Sequence, residues 1–148
     1  MSIEKDIFQS KFRNEYQKSI VNLIYTFNWM SEKMKKIFDR ENITSQQFNI
    51  LRILRGAGKP ISTLQIRQRM LDKMSDTSRI VDRLILKGLV IKTVCPDDKR
   101  LVDLTIKKKK KKILETFDKY DAEMDSILGK LSVTEAKTLS NLLDKIRS

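Results

Sequence analysis

Residues 75–106 read SDTSRIVDRLILKGLVIKTVCPDDKRLVDLTI, and this stretch decides the fold. Its first half predicts a helix, because apolar residues recur at helical spacing and Gly88 follows them as a C-terminal stop. Ser75 is the expected N-cap, and Asp76 adds a carboxylate where the positive end of the helix dipole lies. The buried side of this helix is expected to consist of Ile80, Val81 and Leu84.

The second half of the stretch predicts a β-hairpin. The segment LVIKTV, residues 89–94, is rich in β-branched residues, and LVDLTI, residues 101–106, alternates apolar and polar side chains. The polar residues between them, CPDDKR, are typical of a turn with an extended, basic tip.

Two further helices are predicted upstream of this stretch. In TSQQFNILRIL, Thr44 and Gln47 form a capping box, and the helix ends at RGAGKP, where glycines and Pro60 break it. Ser62 and Gln65 form a second capping box at the start of the short helix STLQIRQRM. The order helix, short helix, helix and hairpin predicts a winged helix-turn-helix lobe over residues 44–106.

Long amphipathic helices flank the predicted lobe. From about residue 4 to residue 38 the apolar residues lie three or four apart, which predicts one long helix. A second apolar stripe extends from Ile113 to Leu128, and Ser132 with Glu135 caps a last helix. Because the lobe is too small to cover these helices, residues 1–38 and 113–148 are expected to pack against a second copy of the chain.

The charge balance indicates an anionic partner. The 148 residues include 31 Lys+Arg and 19 Asp+Glu, for a formal net charge of +12 and a pI near 9.9. This charge favours binding to nucleic acid or to an anionic membrane surface, and charge alone does not separate the two. No apolar run approaches the roughly 18 residues of a membrane-spanning helix, and no signal segment opens the chain. We therefore expect a soluble protein of the cytoplasm.

The residue types that the chain lacks limit the reactions and the metal sites that it could support. Histidine is absent, which removes the commonest general base near neutral pH and the commonest metal ligand. A single cysteine, Cys95, excludes an internal disulfide and a multi-cysteine metal site. No Gly-rich phosphate loop or nucleophile elbow is present. The sequence therefore disfavours an enzyme, and no cofactor or metal is expected.

Two motifs, RIVDRLILKGLV and PDDKRLVDLT, occur together in an order that resembles the MarR-type transcriptional regulators. The resemblance covers nearly the whole chain, because the flanking long helices fit in order and length. One departure is Lys108, which stands where the family often has a glycine after Leu-Thr-x-x. The residues that carry the resemblance are Lys87-Gly88-Leu89, Asp98-Lys99-Arg100 and Leu104-Thr105.

The resemblance implies a fold and a mode of action. The expected fold is a single domain, residues 1–148, that is mainly α with a small β-hairpin wing. Its winged helix-turn-helix is flanked by long N- and C-terminal dimerisation helices. The expected assembly is a homodimer on a pseudo-palindromic operator, in a bacterial or archaeal cytoplasm and associated with the nucleoid. A ligand or redox signal is expected to change the spacing between the two lobes.

Polar residues of the recognition helix are the first candidates for DNA contact. A helix in the major groove places its N-terminal residues against base edges. Arg79 is the candidate for direct readout, because a guanidinium can bond guanine O6 and N7 together. Arg83 is expected to meet phosphate or Asp82, whereas the alternative is an ordinary polar helix face. The hydroxyls expected to donate to phosphates or bases belong to Ser75, Thr77 and Ser78.

The wing tip is the second candidate. Asp98 and Arg100 would point the same way in a strand, so the carboxylate can orient the guanidinium for a narrow minor groove. Lys99 would add a phosphate contact. The alternative is a solvated surface ion pair, which contributes about 0–1 kcal/mol.

The most conspicuous feature of the sequence is the run of six lysines at residues 107–112. Successive like charges disfavour a helix, so its start is expected to fray. The lysines can add sequence-independent attraction to phosphate without specifying bases, and a solvated face is the simpler interpretation.

Two other groups of residues could sense a signal. Cys95 would be a redox sensor if a nearby cation favoured its thiolate, although a lone cysteine more often has no function. Tyr25, Trp29, Met30 and Met34 crowd the end of the first long helix, where core packing is the simpler interpretation. The resemblance implies a pocket for a small aromatic effector in this region.

The function that these observations favour is a sequence-specific regulator of transcription that binds double-stranded DNA and acts as a repressor. Two alternatives stay open: a non-specific architectural DNA-binding protein, and a winged-helix module that docks a protein partner. Neither of these alternatives needs Arg79 to contact a base.

Overall fold

The computed structural model describes residues 1–94 and 102–148, and within them it has the predicted mainly α architecture with a small antiparallel sheet. None of the helices in these residues combines the length and apolar composition needed to cross a membrane. The elements are α1 (Ile3–Asp6), α2 (Glu15–Asp39), α3 (Ser45–Ala57), β1 (Ile61–Ser62), α4 (Thr63–Arg69), α5 (Thr77–Leu86), β2 (Val90–Val94), β3 (Val102–Ile106), a 3-10 helix (Lys108–Lys110), α6 (Lys112–Asp118), α7 (Asp121–Ser126) and α8 (Val133–Arg147).

The N-terminal part differs from the single long helix predicted for residues 4–38. The chain forms the short α1, leaves helical geometry, and begins α2 at Glu15. The side chain of Asn14 accepts a hydrogen bond from the Gln17 backbone N–H at 2.9 Å, and this N-cap sets the start of α2. Phe8 lies in the left-handed region, with φ of 55°, so a regular helix cannot continue through it.

The helix-turn-helix forms as predicted, and its helices begin at the expected caps. Thr44 with Gln47 and Ser62 with Gln65 both make complete capping boxes, which satisfy the free N–H groups of α3 and α4. Gly58 ends α3 with φ of 66°, and Gly88 follows α5 with φ of 73°. Both glycines adopt a left-handed conformation that costs a residue with a side chain about 1–2 kcal/mol.

The wing belongs to a three-stranded sheet, where the sequence predicted a two-stranded hairpin. β1 pairs antiparallel with β3, and the strand order is β1-β3-β2. Ile61 faces Leu104 in this register, and both side chains are buried. A two-residue strand shows no alternating pattern, so it could be found only through its partner.

The C-terminal part is also more broken than predicted. The apolar stripe from Ile113 to Leu128 divides into α6 and α7. Between them the backbone N–H groups of Lys119 and Tyr120 donate hydrogen bonds to the backbone oxygens of Thr116 and Phe117, three residues earlier, which tightens the turn. The six lysines begin directly after β3, include the 3-10 helix and end at the first residue of α6. A regular α-helix therefore begins only at Lys112, which agrees with the repulsion expected among successive charges.

The core lies inside the winged-helix lobe. Its most deeply buried members come from α3, α4, α5 and the inner face of the sheet, and Phe38 and Phe117 close it from the side of the long helices. Phe48 is packed between these two rings, with centroid distances of 5.0 Å to Phe38 and 4.9 Å to Phe117. This aromatic cluster joins α2, α3 and α6, and thereby fixes the lobe against the flanking helices.

Candidate nucleic-acid interface

The outer face of α5 carries polar and charged side chains. Ile80, Val81 and Leu84 are buried against the lobe, as predicted, and the exposed side chains fall between them at helical spacing. Since α3, α4 and the sheet cover only the apolar side, the other side of α5 is open to a partner. The exposed polar side chains are Ser78, Arg79, Asp82 and Arg83, and the last residue of the helix, Leu86, is also exposed.

The N-cap of α5 differs from the predicted one. The carboxylate of Asp76 accepts a hydrogen bond from the Arg79 backbone N–H at 3.2 Å, so Asp76 is the cap. The hydroxyl of Ser75, predicted as the cap, instead donates to the backbone oxygen of Asp72 at 2.7 Å within the turn before the helix. Both residue types can cap a helix, and the path of the turn selects between them.

Thr77 does not lie on the exposed face, which corrects its assignment as a DNA contact. Its side chain is fully buried, and its hydroxyl has no hydrogen-bond partner among the described residues. Thr77 is the first residue of α5 and belongs to the buried face of that helix. Thr77 stands three residues before Ile80 and four before Val81, so helical spacing puts it on the buried face. The apolar pattern did not reveal this, because threonine is polar.

Lys87 fixes the C-terminal end of α5. Its ammonium donates to the backbone oxygen of Asn42 at 2.5 Å and to the side-chain oxygen of Gln47 at 3.0 Å. Gln47 is buried, and its side-chain oxygen also completes the capping box of α3. One amide therefore joins the start of α3 to the end of α5. These contacts orient α5 relative to α3.

The acidic residue on the exposed face of α5 has a partner in the wing. Asp82 lies 3.9 Å from the ammonium of Lys92 on β2, whereas Asp82 was predicted as one of two possible partners of Arg83, the other being phosphate. At this distance the two side chains form an exposed ion pair, which contributes little to stability. It leaves the guanidinium groups of Arg79 and Arg83 as the exposed cations of α5.

The turn between α4 and α5 adds a feature that the sequence analysis missed. Leu71 is 81% exposed and Met74 is 93% exposed, directly before α5. Apolar side chains this open, next to a polar helix face, can contact thymine methyl groups in a major groove. The signal available in the sequence was the presence of two large apolar side chains in a turn, because the residues of a turn are not needed to cover the core.

The predicted wing tip lies outside the described residues. Asp98, Lys99, Arg100 and Cys95 all fall there, so the minor-groove and redox assignments remain predictions. The described strands lead toward the tip from both sides, because Val94 and Val102 are register partners at the end of the ladder.

The four residues predicted to form an effector pocket are divided between two faces of α2. Tyr25 and Trp29 are about two-fifths exposed, and the Lys33 ammonium lies 4.8 Å from the centre of a Trp29 ring. Met34, by contrast, packs against the core, and Met30 is half-buried one turn before it. Five residues of α-helix correspond to a rotation of about 140°, so Tyr25 and Met30 point in different directions.

Comparisons with known proteins agree with this geometry. The MarR family model matches residues 41–101. The chain is 24% identical over 131 residues to the HTH-type transcriptional regulator MhqR of Bacillus subtilis, covering 87% of this chain and 89% of the relative.

Two solved structures are similar over most of their length. A mutant MarR from E. coli, complexed with operator DNA, superposes with a TM-score of 0.81 at 23% identity, covering 93% of this chain and 99% of that one. Bordetella bronchiseptica BpsR, whose DNA binding is regulated by 6-hydroxynicotinic acid, gives a TM-score of 0.74 at 20% identity, with coverage of 85% and 96%. The resemblance found in the sequence is confirmed.

Proposed function

We propose a specific mode of action for this chain, which is a MarR-type winged helix-turn-helix regulator of transcription that binds DNA. In this mode two copies form a homodimer, and each places α5 in the major groove of one half-site of a pseudo-palindromic operator. Occupation of the operator represses transcription, and a small ligand releases the protein. The protein acts in the cytoplasm, associated with the nucleoid.

The observation that carries the proposal is the exposed face of α5. Two guanidinium groups, those of Arg79 and Arg83, project one turn apart from a helix whose other side is buried in the lobe. Arg79 follows the N-terminus closely enough to reach a base edge, whereas Arg83 is placed for phosphate. Ser78 adds an exposed hydroxyl near the helix start, whereas the hydroxyl of Ser75 donates to Asp72 and is left to accept. The net charge of +12 favours the encounter with DNA.

The homodimer is supported by apolar side chains that this chain does not cover. On α2, Tyr16 is 81% exposed, Ile20 57% and Phe27 64%. On α8, Leu142 is 54% exposed and Ile146 67%. Both sets lie at helical spacing, so each forms a stripe and not a scatter of single residues. Exposed stripes of this kind are typical of surfaces that pack against another helix, and a second copy supplies the same two stripes.

Release by a ligand is supported by a structural neighbour and by the aromatic cluster. BpsR, a structural neighbour, is regulated by a small aromatic acid, and the aromatic cluster of Phe38, Phe48 and Phe117 couples the lobe to the flanking helices in this chain. A ligand that bound on either of the two faces of α2 that carry Tyr25, Trp29, Met30 and Met34 would contact the helix that carries Phe38. It would thereby change the angle between lobe and dimer helices, and with it the spacing of the two α5 helices.

The test is a selection of bound duplexes from a random DNA library by the purified full-length protein at about 150 mM salt, where long-range phosphate attraction is screened. We expect enrichment of an inverted repeat with half-sites about one helical turn apart. Even recovery of all sequences would overturn the proposal and favour a non-specific architectural protein. Retention of the selected sequence by an Arg79→Ala, Arg83→Ala variant would exclude α5 as the reader.

A further inference from the structure

The two faces of the wing sheet carry different surfaces. Leu104 is buried, and its register partner Lys92 forms the ion pair with Asp82 of α5, so α5 covers this face of the sheet. Thr105 and its register partner Ile91 alternate with these residues along the strands and therefore lie on the opposite face. We call this second face, which is turned away from α5, the outer face of the sheet.

The lysine run begins on the outer face. Lys107 comes two residues after Thr105 and has an extended backbone, so the alternation of the strand directs its side chain to the same face. Lys108 and Lys111 line a cavity together with Thr105, because a 3-10 helix advances one turn in three residues. Lys59, between α3 and β1, lines an adjoining cavity with Lys111. We call Lys59, Lys107, Lys108 and Lys111 the lysine patch.

The positive charge of the lysine patch is largely uncompensated. All four side chains are exposed, and within residues 1–94 and 102–148 none of their ammonium groups forms an ion pair. Glu115 is the one acidic side chain among the described residues that line the two cavities. Arg55 lines one cavity as well, but its guanidinium donates two hydrogen bonds to Asp118 and adds no net charge. The patch therefore favours a partner that carries several negative charges.

The side chains around the lysine patch indicate which polyanion it suits. Among the described residues that line the two cavities there is no aromatic side chain, so an unpaired base would find nothing on which to stack. Lysines are point charges that neutralise phosphates whatever the base sequence. An anionic lipid surface offers the same phosphate chemistry, but the chain is a DNA-binding regulator, and duplex DNA is the polyanion that α5 already brings to it.

We propose that the lysine patch binds the phosphate backbone of a second DNA duplex segment while α5 occupies the first. The inference rests on the proposed function for the first segment. Because the patch and α5 lie on opposite faces of the wing sheet, a straight duplex on α5 does not extend to the patch, and the protein joins two segments of DNA. The second contact is independent of sequence and weakens steeply with salt. Two segments of one DNA molecule are also at a high local concentration, which favours the second contact.

The first test locates the DNA contacts on the protein. Full-length ¹⁵N-labelled protein is titrated with a mixed-sequence duplex one helical turn long, at about 50 mM and about 200 mM salt. We expect amide shifts in α5 and, separately, in residues 107–112, with the second set lost first as the salt is raised. Shifts in α5 alone would overturn the inference and leave the proposed function intact. Shifts in residues 107–112 alone would support the patch and count against α5, and shifts in neither would overturn both.

The second test asks whether one protein joins two duplexes. An immobilised duplex retains the protein, and a fluorescent duplex of unrelated sequence is then added in solution. We expect the parent to capture the second duplex. Lys108→Glu with Lys111→Glu should stay on the first duplex within about threefold of the parent and capture at least about tenfold less of the second. Acidic residues are favourable before the first turn of α6, so this variant is expected to fold, as circular dichroism can verify.

The matched control is Lys130→Glu with Lys137→Glu, which makes the same change in charge at two exposed lysines outside the lysine patch. It should capture the second duplex within about twofold of the parent. Equal losses in the two variants would reduce the effect to net charge and overturn the proposal. Capture that survives reversal of Lys108 and Lys111 would also overturn it, because the two α5 helices of a homodimer would then be joining the duplexes. No capture by the parent would do the same.

Discussion

The guanidinium of Arg40 donates two hydrogen bonds to the carboxylate of Glu123, at 2.6 and 2.7 Å, across 83 residues of sequence. Arg40 directly follows α2 and Glu123 lies in α7, so the pair joins the first long helix to the C-terminal part of the chain. The same guanidinium lies 5.1 Å from the centre of the Tyr120 ring, whose hydroxyl donates to Glu41 at 3.0 Å. These contacts extend the aromatic cluster toward the surface and fix the direction in which α7 leaves the lobe.

The Arg40–Glu123 pair makes stability depend on pH in a defined direction. Hydrogen bonds from Arg40 hold the pKa of Glu123 below its usual value of 4.5. A carboxyl whose pKa is lowered by folding stabilises the fold above its unfolded pKa, and the contribution is lost as pH falls from about 4.5 through the lowered value. We expect Glu123→Gln to lower the urea midpoint of unfolding at pH 7. At pH 3 the difference in midpoint between the variant and the parent should be smaller.

The matched control for this prediction is Asp125→Asn, an exposed carboxyl two residues further along α7. Urea unfolding followed by circular dichroism at several pH values measures both variants. A Glu123→Gln variant whose deficit is as large at pH 3 as at pH 7 would contradict the assignment.

Arg79 is predicted to carry direct readout. Arg79→Ala should cost about 1–3 kcal/mol of operator affinity and relax the preference at one base position in each half-site. Its side chain is exposed, so the fold should be unaffected. Titration of a labelled operator by fluorescence anisotropy measures the loss, with Arg147→Ala in α8 as the control that removes one positive charge outside α5. Equal losses in the two variants would reduce Arg79 to a general electrostatic contact.

Thr77 is predicted to contribute to core packing and not to DNA binding. Because its hydroxyl is buried without a described partner, replacing it by the isosteric methyl in Thr77→Val should leave the free energy of unfolding within about 1 kcal/mol of the parent, or raise it. Operator affinity should stay unchanged, whereas Ser78→Ala, at the adjacent exposed position, should weaken it. A Thr77→Val protein that folds normally but loses affinity would restore Thr77 as a contact.

The stripe on α2 is predicted to be a dimer surface. Ile20→Glu places a charge in the middle of this stripe and should shift the protein to monomers in sedimentation velocity. Asn22→Glu makes the same change in charge two residues further on, which is about 200° around the helix, and should leave the dimer intact. If both variants sediment like the parent, the stripe is not the interface.

Predictions that rested on a few neighbouring residues agree best with the structure. The capping boxes at Thr44 and Ser62, and the left-handed glycines after α3 and α5, formed where the sequence placed them. Each depends on contacts within about four residues, which a sequence pattern contains in full. The buried face of α5 was found in the same way, through helical periodicity.

Predictions that needed distant contacts were less complete. β1 has two residues and no pattern of its own, and it exists because Leu104 of β3 lies opposite Ile61. The sequence between α6 and α7 contains no proline or glycine that would predict the break. The break accompanies the packing of Phe117 and Tyr120, whose ring centroids lie 6.0 Å apart. The apolar stripe passes through this break without interruption, so periodicity alone predicted one helix.

By itself the sequence determined the order of elements, the winged helix-turn-helix class and the family resemblance, because caps, turns and amphipathic faces are local and each is encoded within a few residues. The tertiary structure alone decided which polar residues around the start of α5 are available to a partner. Asp76 caps the helix, Thr77 is buried and Arg79 remains exposed, although all three are polar residues within a span of four positions. Their roles depend on how α4 and the core meet the first turn of α5, and that contact is made by residues distant in the chain.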